Sequence, residues 1–350
     1  MSHSTLWMGV EDSPIWLEWL DKLPPTLNDV YAKPEYVSLY ADHDKSPKCF
    51  VYSENDNIFL YPFLQQQTPF LDNYYDITTA YGYGGPVYNT DNEAFLNAAY
   101  TEFHNQAKQN NIVAELIKFN PMYDNQIGLK NVFKGDIIPV CKTVHVEIDI
   151  DEEHRWMQEY TAANRKGIKK ARRQEASADF VQDDNAWEQF ESLYFGTMKY
   201  NSADDFYLFS KEYFANIRTN LAGNYILSSA IVDSKVGASM ILLHGSEFAY
   251  CHLIGTNREY QKFGINNFLH HQCIQWCKEK GIKKLLIGGG RTLDDDDPLL
   301  KFKKNFSKDL STFHVGEYIL NETVYNELIE LRNDQKPEPI NNGKLFKYRF

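Results

Sequence analysis

The sequence lacks any run of about 18 apolar residues, the length a helix needs to cross a bilayer. Its first residues (MSHSTLWMGVEDSP) carry neither a basic start nor an apolar signal core. These absences give the expectation of a cytoplasmic protein with no integral membrane segment. Cysteine is scarce and odd in number: Cys49, Cys141, Cys251, Cys273 and Cys277 are scattered, which argues against a disulfide framework and fits a reducing compartment. His270, Cys273 and Cys277 fall on one helical face, but no second ligand pair stands at zinc spacing, so buried free cysteines account for them and no metal is expected. Positive charge is in deficit, and a formal net charge of −12 discourages indiscriminate binding to nucleic acid. Sustained heptads are missing, which excludes a coiled-coil arm. So are a G-x-S-x-G elbow and a Cys/His signature, and a covalent enzyme intermediate is not expected.

What is present is enough for two ordinary domains: 350 residues, 43% of them hydrophobic. Aromatics, 15% of the chain, are spread throughout, which suggests aromatic cores and a roomy cleft. Residues 48–53 and 58–64 are β-type runs joined across Glu54-Asn-Asp-Asn57, a hairpin signal. A Gly-rich segment at 81–86, a helical pattern over 92–110 and a strand-like run at 112–119 follow. The order then recurs. Residues 225–232 and 236–243 flank the turn Asp233-Ser-Lys235, and a strand-like run from Tyr250 enters a Gly-containing loop. A helical pattern over 265–280 ends at Gly281, and 284–287 reads as a buried strand. We infer a duplication of topology, with a boundary near residue 142 just before the alternating run 143–148. Residues 1–30 read as an irregular entry, 186–222 as helical, and 344–350 as a last strand after the break at Lys336-Pro-Glu-Pro339.

Two stretches carry chemistry directly. The loop before residue 265 stands at a helix start, where unpartnered N–H groups and the helix dipole favour anions, and Gly264 lets a ligand approach the backbone closely. Arg165, Lys166, Lys169, Lys170, Arg172 and Arg173 fall within nine residues, and four of them share a helical face. That row is either a solvated helix face or a docking surface for a phosphate-rich substrate. Tyr81-Gly-Tyr-Gly-Gly-Pro86 reads either as a tight bend or as a wall of an acceptor cleft. The run Asp294–Asp297 reads as a solvated loop that caps the helix starting at Pro298.

The order strand, strand, strand, Gly loop, helix, strand, with Gln261-Lys-Phe-Gly264-Ile-Asn266, resembles the GNAT acyltransferase core and its Q/R-x-x-G-x-G/A loop. Asn266 stands where Gly or Ala is usual. Tyr81-Gly-Tyr-Gly-Gly-Pro86, Asn164-Arg-Lys-Gly-Ile-Lys-Lys-Ala171 and Phe302-Lys-Lys-Asn-Phe306, in that order, resemble the FemAB branch, which has tandem GNAT-like domains and includes peptidoglycan-bridge aminoacyltransferases. The resemblance spans roughly residues 35–315. It implies an α/β (α+β) fold of two GNAT-like domains, residues 1–142 and 143–350, with mixed sheets flanked by helices and the donor loop in the second. It implies that Gln261, Gly264, Ile265 and Asn266 cradle an acyl-coenzyme A pyrophosphate while backbone groups of Leu253 to Gly255 polarise the acyl carbonyl. Lys303 would stabilise negative charge during transfer. Tyr81, Tyr83, Arg165 and Lys169 would contact the acceptor. His252, Tyr250 and Glu259 are the candidate bases, with a core role open for His252.

The leading expectation is transfer of an acyl group, acetyl from acetyl-CoA, to an amino group of a cell-surface precursor such as a nucleotide-linked amino sugar held at a domain junction. The absence of a helical arm sets the chain apart from branch members that carry one. Two alternatives stay open: an aminoacyl-tRNA-dependent enzyme extending a peptidoglycan stem peptide, and a non-catalytic GNAT-shaped binding module, the reading that Asn266 keeps alive.

Overall fold

Asn55 (φ 54°) and the pair Asp233 and Ser234 (φ 51° and 61°) adopt the left-handed backbone of tight hairpin turns. Each turn folds two β-rich runs back on each other, and each hairpin belongs to its own unit. One unit comprises the chain up to Val140 together with Phe313 onward; the other is Cys141–Thr312. The computed structural model describes residues 3–335 and 345–349.

The first unit begins with β1 (His3–Gly9), α1 (Ser13–Asp21) and α2 (Pro34–Ser38). The sheet continues through β2 (Lys45–Glu54), β3 (Asn57–Gln67), β4 (Tyr75–Thr78) and the short β5 (Val87–Tyr88). Then come α3 (Glu93–Gln109) and β6 (Ile112–Lys118). Residues 1–30 are thus more regular than their pattern suggests: β1 is an edge strand paired to β2 from His3↔Glu54 to Gly9↔Lys48, and its half-exposed face hides the alternation. Strands β1 to β4 are antiparallel neighbours, whereas β6 lies parallel to β4. A parallel pair needs a crossover, and α3 supplies it. Its Phe95, Leu96, Ala99, Phe103 and Ala107 pack on Phe50, Phe59, Tyr61 and Phe63 of the sheet.

The second unit takes β7 (Asp136–Glu147) from Cys141 on. Helix α4 (Glu152–His154) runs into a π-turn at Arg155–Glu159, and α5 (Ala162–Arg173) and β8 (Ser177–Asp179) follow. The helical stretch read at 186–222 is two helices, α6 (Asp184–Tyr200) and α7 (Lys211–Asn220). Then come β9 (Tyr225–Val232), β10 (Lys235–His244), β11 (Phe248–Thr256), α8 (Arg258–Gln261), α9 (Ile265–Glu279), β12 (Lys284–Gly289) and α10 (Pro298–Lys303). The pairing repeats that of the first unit: β8 to β11 are antiparallel neighbours, β12 is parallel to β11 with α9 as the crossover, and β7 closes the order antiparallel to β12. The core joins Phe268, Leu269, Cys273, Ile274 and Cys277 of α9 to Met240, Leu242, Leu285 and Ile287 of the sheet.

The last elements are β13 (Leu310–Ile319) and α11 (Glu322–Gln335). Val315–Ile319 pairs antiparallel with β6, so the first unit is completed by residues that follow the second in sequence. The first boundary, Val140/Cys141, lies next to the expected 142/143. The stretch from Phe313 on, assigned from the sequence to the second domain, packs with the first unit instead. Its anchor is the fully buried Asp76, which receives Tyr348 Oη, Arg349 Nε (2.8 Å) and Arg349 Nη2 (2.7 Å). Burial raises the Asp76 carboxyl to about 6 against the lowering effect of Arg349 and Tyr348. The strand expected at 344–350 is, over Lys347–Arg349, a single 3₁₀ turn; Lys344 and Phe350 lie outside the described residues.

Candidate functional site

Two parallel strands that part company define the site in the second unit. Register pairs between β11 and β12 end at Tyr250↔Leu286, although β11 continues to Thr256 and β12 to Gly289. Both strands are bulged at that point. Ile241 and Leu242 of β10 face Leu253 and Cys251, leaving His252 as the extra residue of β11. Leu286 and Gly288 of β12 face His145 and Val144 of β7, leaving Ile287 as the extra residue. A bulge bends and over-twists its strand, which is how two parallel neighbours diverge.

Lys303, the last residue of α10, reaches this divergence. Asp297 caps α10, accepting from Leu299 N (2.8 Å) and Leu300 N (2.9 Å) with Pro298 in the first turn, and it also holds Arg291 N (2.9 Å). Lys303 Nζ donates to Gly289 O at 2.7 Å. Burial pulls the amine down to about 8, against the upward pull of Cys251, Cys141 and Asp297. Desolvation pushes both thiols up, Cys141 moderately and Cys251 strongly, while Lys303 acts in the opposite sense on each. The two phenylalanines of Phe302-Lys-Lys-Asn-Phe306 fix the lysine by clasping His270 of α9. Phe306 stacks on the imidazole at 4.8 Å and Phe302 meets it edge-on at 5.6 Å. His270 Nδ1 lies 2.8 Å from Asn266 O, and burial drops the imidazole to about 4, so it is neutral. His270, Cys273 and Cys277 are thus all buried on α9.

The candidate bases do not gather around Lys303. His252 lies 2.7 Å from Tyr213 Oη on α7, whereas its neighbour Cys251 packs with the α9 core; the two side chains leave β11 on opposite faces. Burial lowers His252 to about 3. Tyr250 is buried within β11, and Glu259 is exposed on α8 with its backbone N–H held by Asn257. Leu253 is buried, and a side chain at Gly255 would run into Leu193 and Tyr194 of α6, so this glycine lets a helix lie directly on the strand.

The loop around Gly264 has the anticipated local form and an unanticipated neighbour. Gly264 is left-handed (φ 76°), and no side chain caps the first turn of α9. A Cβ at Gly264 would lie 2.4 Å from Gly167 O and 2.7 Å from Gly167 Cα: the close approach it allows is to α5. Gln261 is exposed and accepts Gly264 N through its carbonyl (3.0 Å), and Ile265 is fully buried. Asn266 Oδ1 accepts from Thr256 Oγ1 (2.9 Å), tying the helix start to the end of β11. Next to this contact Asn267 Nδ2 donates to Asn164 Oδ1 (2.8 Å), and the fully buried Asn164 leaves its own Nδ2 without a partner among the described residues.

On α5 the cations divide into two groups. Arg165 donates through Nη1 to the carbonyls of Trp156 (3.1 Å) and Tyr160, closing the π-turn. Arg172 Nη2 meets His271 Nε2 at 3.0 Å. Lys166, Lys169, Lys170 and Arg173 are exposed, and no carboxylate among the described residues lies within 4.0 Å of them. Lys169 also lies 5.9 Å over the Trp156 ring.

Tyr81 and Tyr83 belong to the first unit. Gly82 (φ 85°) and Gly85 (φ 86°) shape their loop, and a Cβ at Gly82 would strike the Tyr31 ring at 2.9 Å. Tyr36 Oη donates to Tyr81 O (2.6 Å), and Tyr83 packs edge-on between Tyr31 and Phe313. The bend is tight because it wraps an aromatic side chain. Sequence reasoning missed His270 as the partner of Phe302 and Phe306; the aromatic i, i+4 pair flanking Lys303 was the available signal.

Residues 161–304 match the family model described as an acetyltransferase (GNAT) domain, which covers most of the second unit. Comparison with curated protein sequences gives no match. In fold, the chain is similar to FemX, with a TM-score of 0.71 over 93% of this chain and 99% of that one at 15% identity. It is also similar to a tandem GNAT protein from the clavulanic acid biosynthesis pathway (TM-score 0.52, 9% identity, 90% and 98% covered). A third similar structure is L-PGS from Bacillus licheniformis (TM-score 0.53, 15% identity, 85% and 90% covered). At these identities the likeness is one of fold. The match places a GNAT acetyltransferase domain within the second unit and supports an N-acyltransferase. Its tandem architecture is similar to those of FemX and the tandem GNAT protein. No helix among the described residues is long and apolar enough to cross a membrane.

Proposed function

We propose that the protein transfers an aminoacyl group from a tRNA carrier to an amine of a cell-wall precursor, with Lys303 at the reacting carbonyl. The observation that carries this reading is the placement of the Lys303 amine where β11 and β12 diverge, on Gly289 O and close enough to Cys251 to shift its thiol. A cation fixed beforehand stabilises the oxyanion that forms when the acceptor nitrogen attacks, without reorganisation at the moment of reaction. The nitrogen–carbon bond forms, the carbon–oxygen bond to the carrier breaks, and the proton lost by the amine ends on the released hydroxyl or on water.

Two features support an RNA carrier over coenzyme A. A Cβ at Gly264 would meet the backbone of Gly167 on α5, so helix packing accounts for this glycine without a pyrophosphate. The exposed Lys166, Lys169, Lys170 and Arg173 of α5 have no carboxylate partner among the described residues, which in so acidic a chain suits a phosphate backbone. A second reading, acetyl transfer from acetyl-CoA to a nucleotide-linked amino sugar, is favoured by the uncapped first turn of α9. Parallel titrations with tRNA and acetyl-CoA at several salt concentrations test the choice. Steeply salt-dependent tRNA binding that is lost when Lys166, Lys169, Lys170 and Arg173 become Glu supports the first reading. Micromolar acetyl-CoA binding that needs the pyrophosphate and ignores those four charges replaces it with the second.

A further inference from the structure

Strand β7 turns its two faces to different surroundings. Val144 and Val146 are buried, Val146 in the core shared with α9, so His145 and Glu147, which alternate with them, stand together on the other face. The chain returns beside them at Asp309, the residue before β13. His145 N donates to Asp309 O (3.2 Å), and Asp309 N donates to Ser307 Oγ (3.1 Å), which fixes the turn. His145 Nε2 lies 3.9 Å from Glu147 Oε1, and one ligand atom each from His145, Glu147 and Asp309 lies within 4.8 Å of the other two. Among the described residues no other three His, Cys, Asp or Glu side chains converge in this way. The row His270, Cys273 and Cys277 shares a helical face but does not bring its ligand atoms together. His145, Glu147 and Asp309 all belong to the second unit.

The donor set decides which ion fits. One imidazole nitrogen with two carboxylates suits Zn²⁺ and its transition-metal neighbours, whereas Mg²⁺ and Ca²⁺ take oxygen ligands. Bonds of about 2.0–2.2 Å set tetrahedral ligand atoms about 3.3–3.5 Å apart, so the three atoms need to close by little more than about 1 Å. The carboxylates have room for that movement, because Asp309 is exposed and Glu147 is 40% exposed. The imidazole is the fixed member: its side chain is 14% exposed, and Nδ1 lies 3.4 Å from Ser311 Oγ while Nε2 faces the carboxylates. That is the outer contact by which a ligating histidine is oriented. The negative charge is only partly balanced. Lys284, opposite Glu147 on β12, places Nζ 2.7 Å from Glu147 Oε1, and no lysine or arginine among the described residues lies within 4.0 Å of the Asp309 carboxylate. Lys284 therefore competes with a metal for Glu147.

We propose that His145, Glu147 and Asp309 bind Zn²⁺, with water in the fourth position. The ion fastens Asp309 to β7 four residues before the chain leaves the second unit at Phe313. Its role is to hold that exit segment, and it is independent of which donor the enzyme uses.

The test is equilibrium dialysis of the chelator-treated full-length protein against Zn²⁺, with Co²⁺ as a spectroscopic substitute. The expected result is one zinc ion per chain, a rise in Tm with the metal, and visible Co²⁺ bands with no thiolate charge-transfer band. Asp309→Asn and Glu147→Gln should each weaken binding by at least about tenfold. Lys284→Gln removes the competing cation and should tighten binding about two- to fivefold, a gain that a folding defect cannot produce. Three results overturn the proposal: no zinc binding, affinity unchanged when Asp309→Asn and Glu147→Gln are combined, or a thiolate band, which would move the metal to the cysteines. Displacement of Zn²⁺ by an equal concentration of Mg²⁺ overturns it as well, because it would exclude imidazole ligation.

Discussion

Replacing Lys303 by Met separates a catalytic amine from a structural one, because the two roles predict opposite signs for stability. The fall of its pKa from 10.5 to about 8 reflects burial of the charged form. It corresponds to roughly 3 kcal/mol against the folded state, reduced by the solvent that still reaches this half-buried side chain. Met restores the aliphatic stem without the charge, but it removes the bond to Gly289 O, a loss of about 1 kcal/mol. The balance is a gain of about 1 kcal/mol, read as a rise in Tm of about 2–4 °C. Losing the cation at the developing oxyanion should cut kcat by about 10²–10³ while leaving donor affinity almost unchanged. Thermal unfolding and single-turnover transfer by the same purified variant check both. A variant that loses stability in step with its activity, or that keeps its activity, refutes the assignment of Lys303.

Lys303 also sets a pH limb. The cation is present below about 8 and lost above it, so kcat should fall as pH rises through about 8, and Lys303→Arg should move that limb out of range if it retains activity. Because the folded pKa is depressed below its unfolded value, stability should instead rise with pH between about 8 and 10.5. Gly264→Ala adds a left-handed residue and drives a Cβ into the backbone of Gly167. It should destabilise the second unit by about 2 kcal/mol or more in urea unfolding, tRNA present or absent. If it instead changes only ligand affinity, Gly264 serves a ligand and not α5. His252→Leu removes a buried bond to Tyr213 and should cost about 1–3 kcal/mol of stability with little change in kcat. A kcat collapse with unchanged pH limbs would return His252 to the chemistry.

Much was readable in the sequence because it depends on short-range rules. The Asp233-Ser234 turn, the helix over Ile265–Glu279 and the cap that Asp297 gives α10 follow from positive φ, apolar spacing and an Asx residue before proline. The repeated order of strands and helices was equally visible, since each copy is contiguous over its hairpin, crossover helix and parallel strand. Lys303 was singled out by the resemblance of Phe302-Lys-Lys-Asn-Phe306, and its role in transfer is a proposal. What the sequence left open depended on neighbours far away along the chain. Nothing near Gly264 shows that the backbone it admits is that of Gly167, about a hundred residues earlier. Nothing near Val315–Ile319 shows that this strand closes a sheet begun at β1, nor that Arg349 ends on Asp76. A row of six cations on a helix looks uniform in sequence, yet packing commits Arg165 to carbonyls and Arg172 to a buried imidazole and leaves four exposed. Local propensity and periodicity are properties of consecutive residues, so the sequence determined the elements, their order and the lysine motif. Close approach, strand exchange and the division of charges arise between residues distant in sequence, so only the tertiary structure decided them.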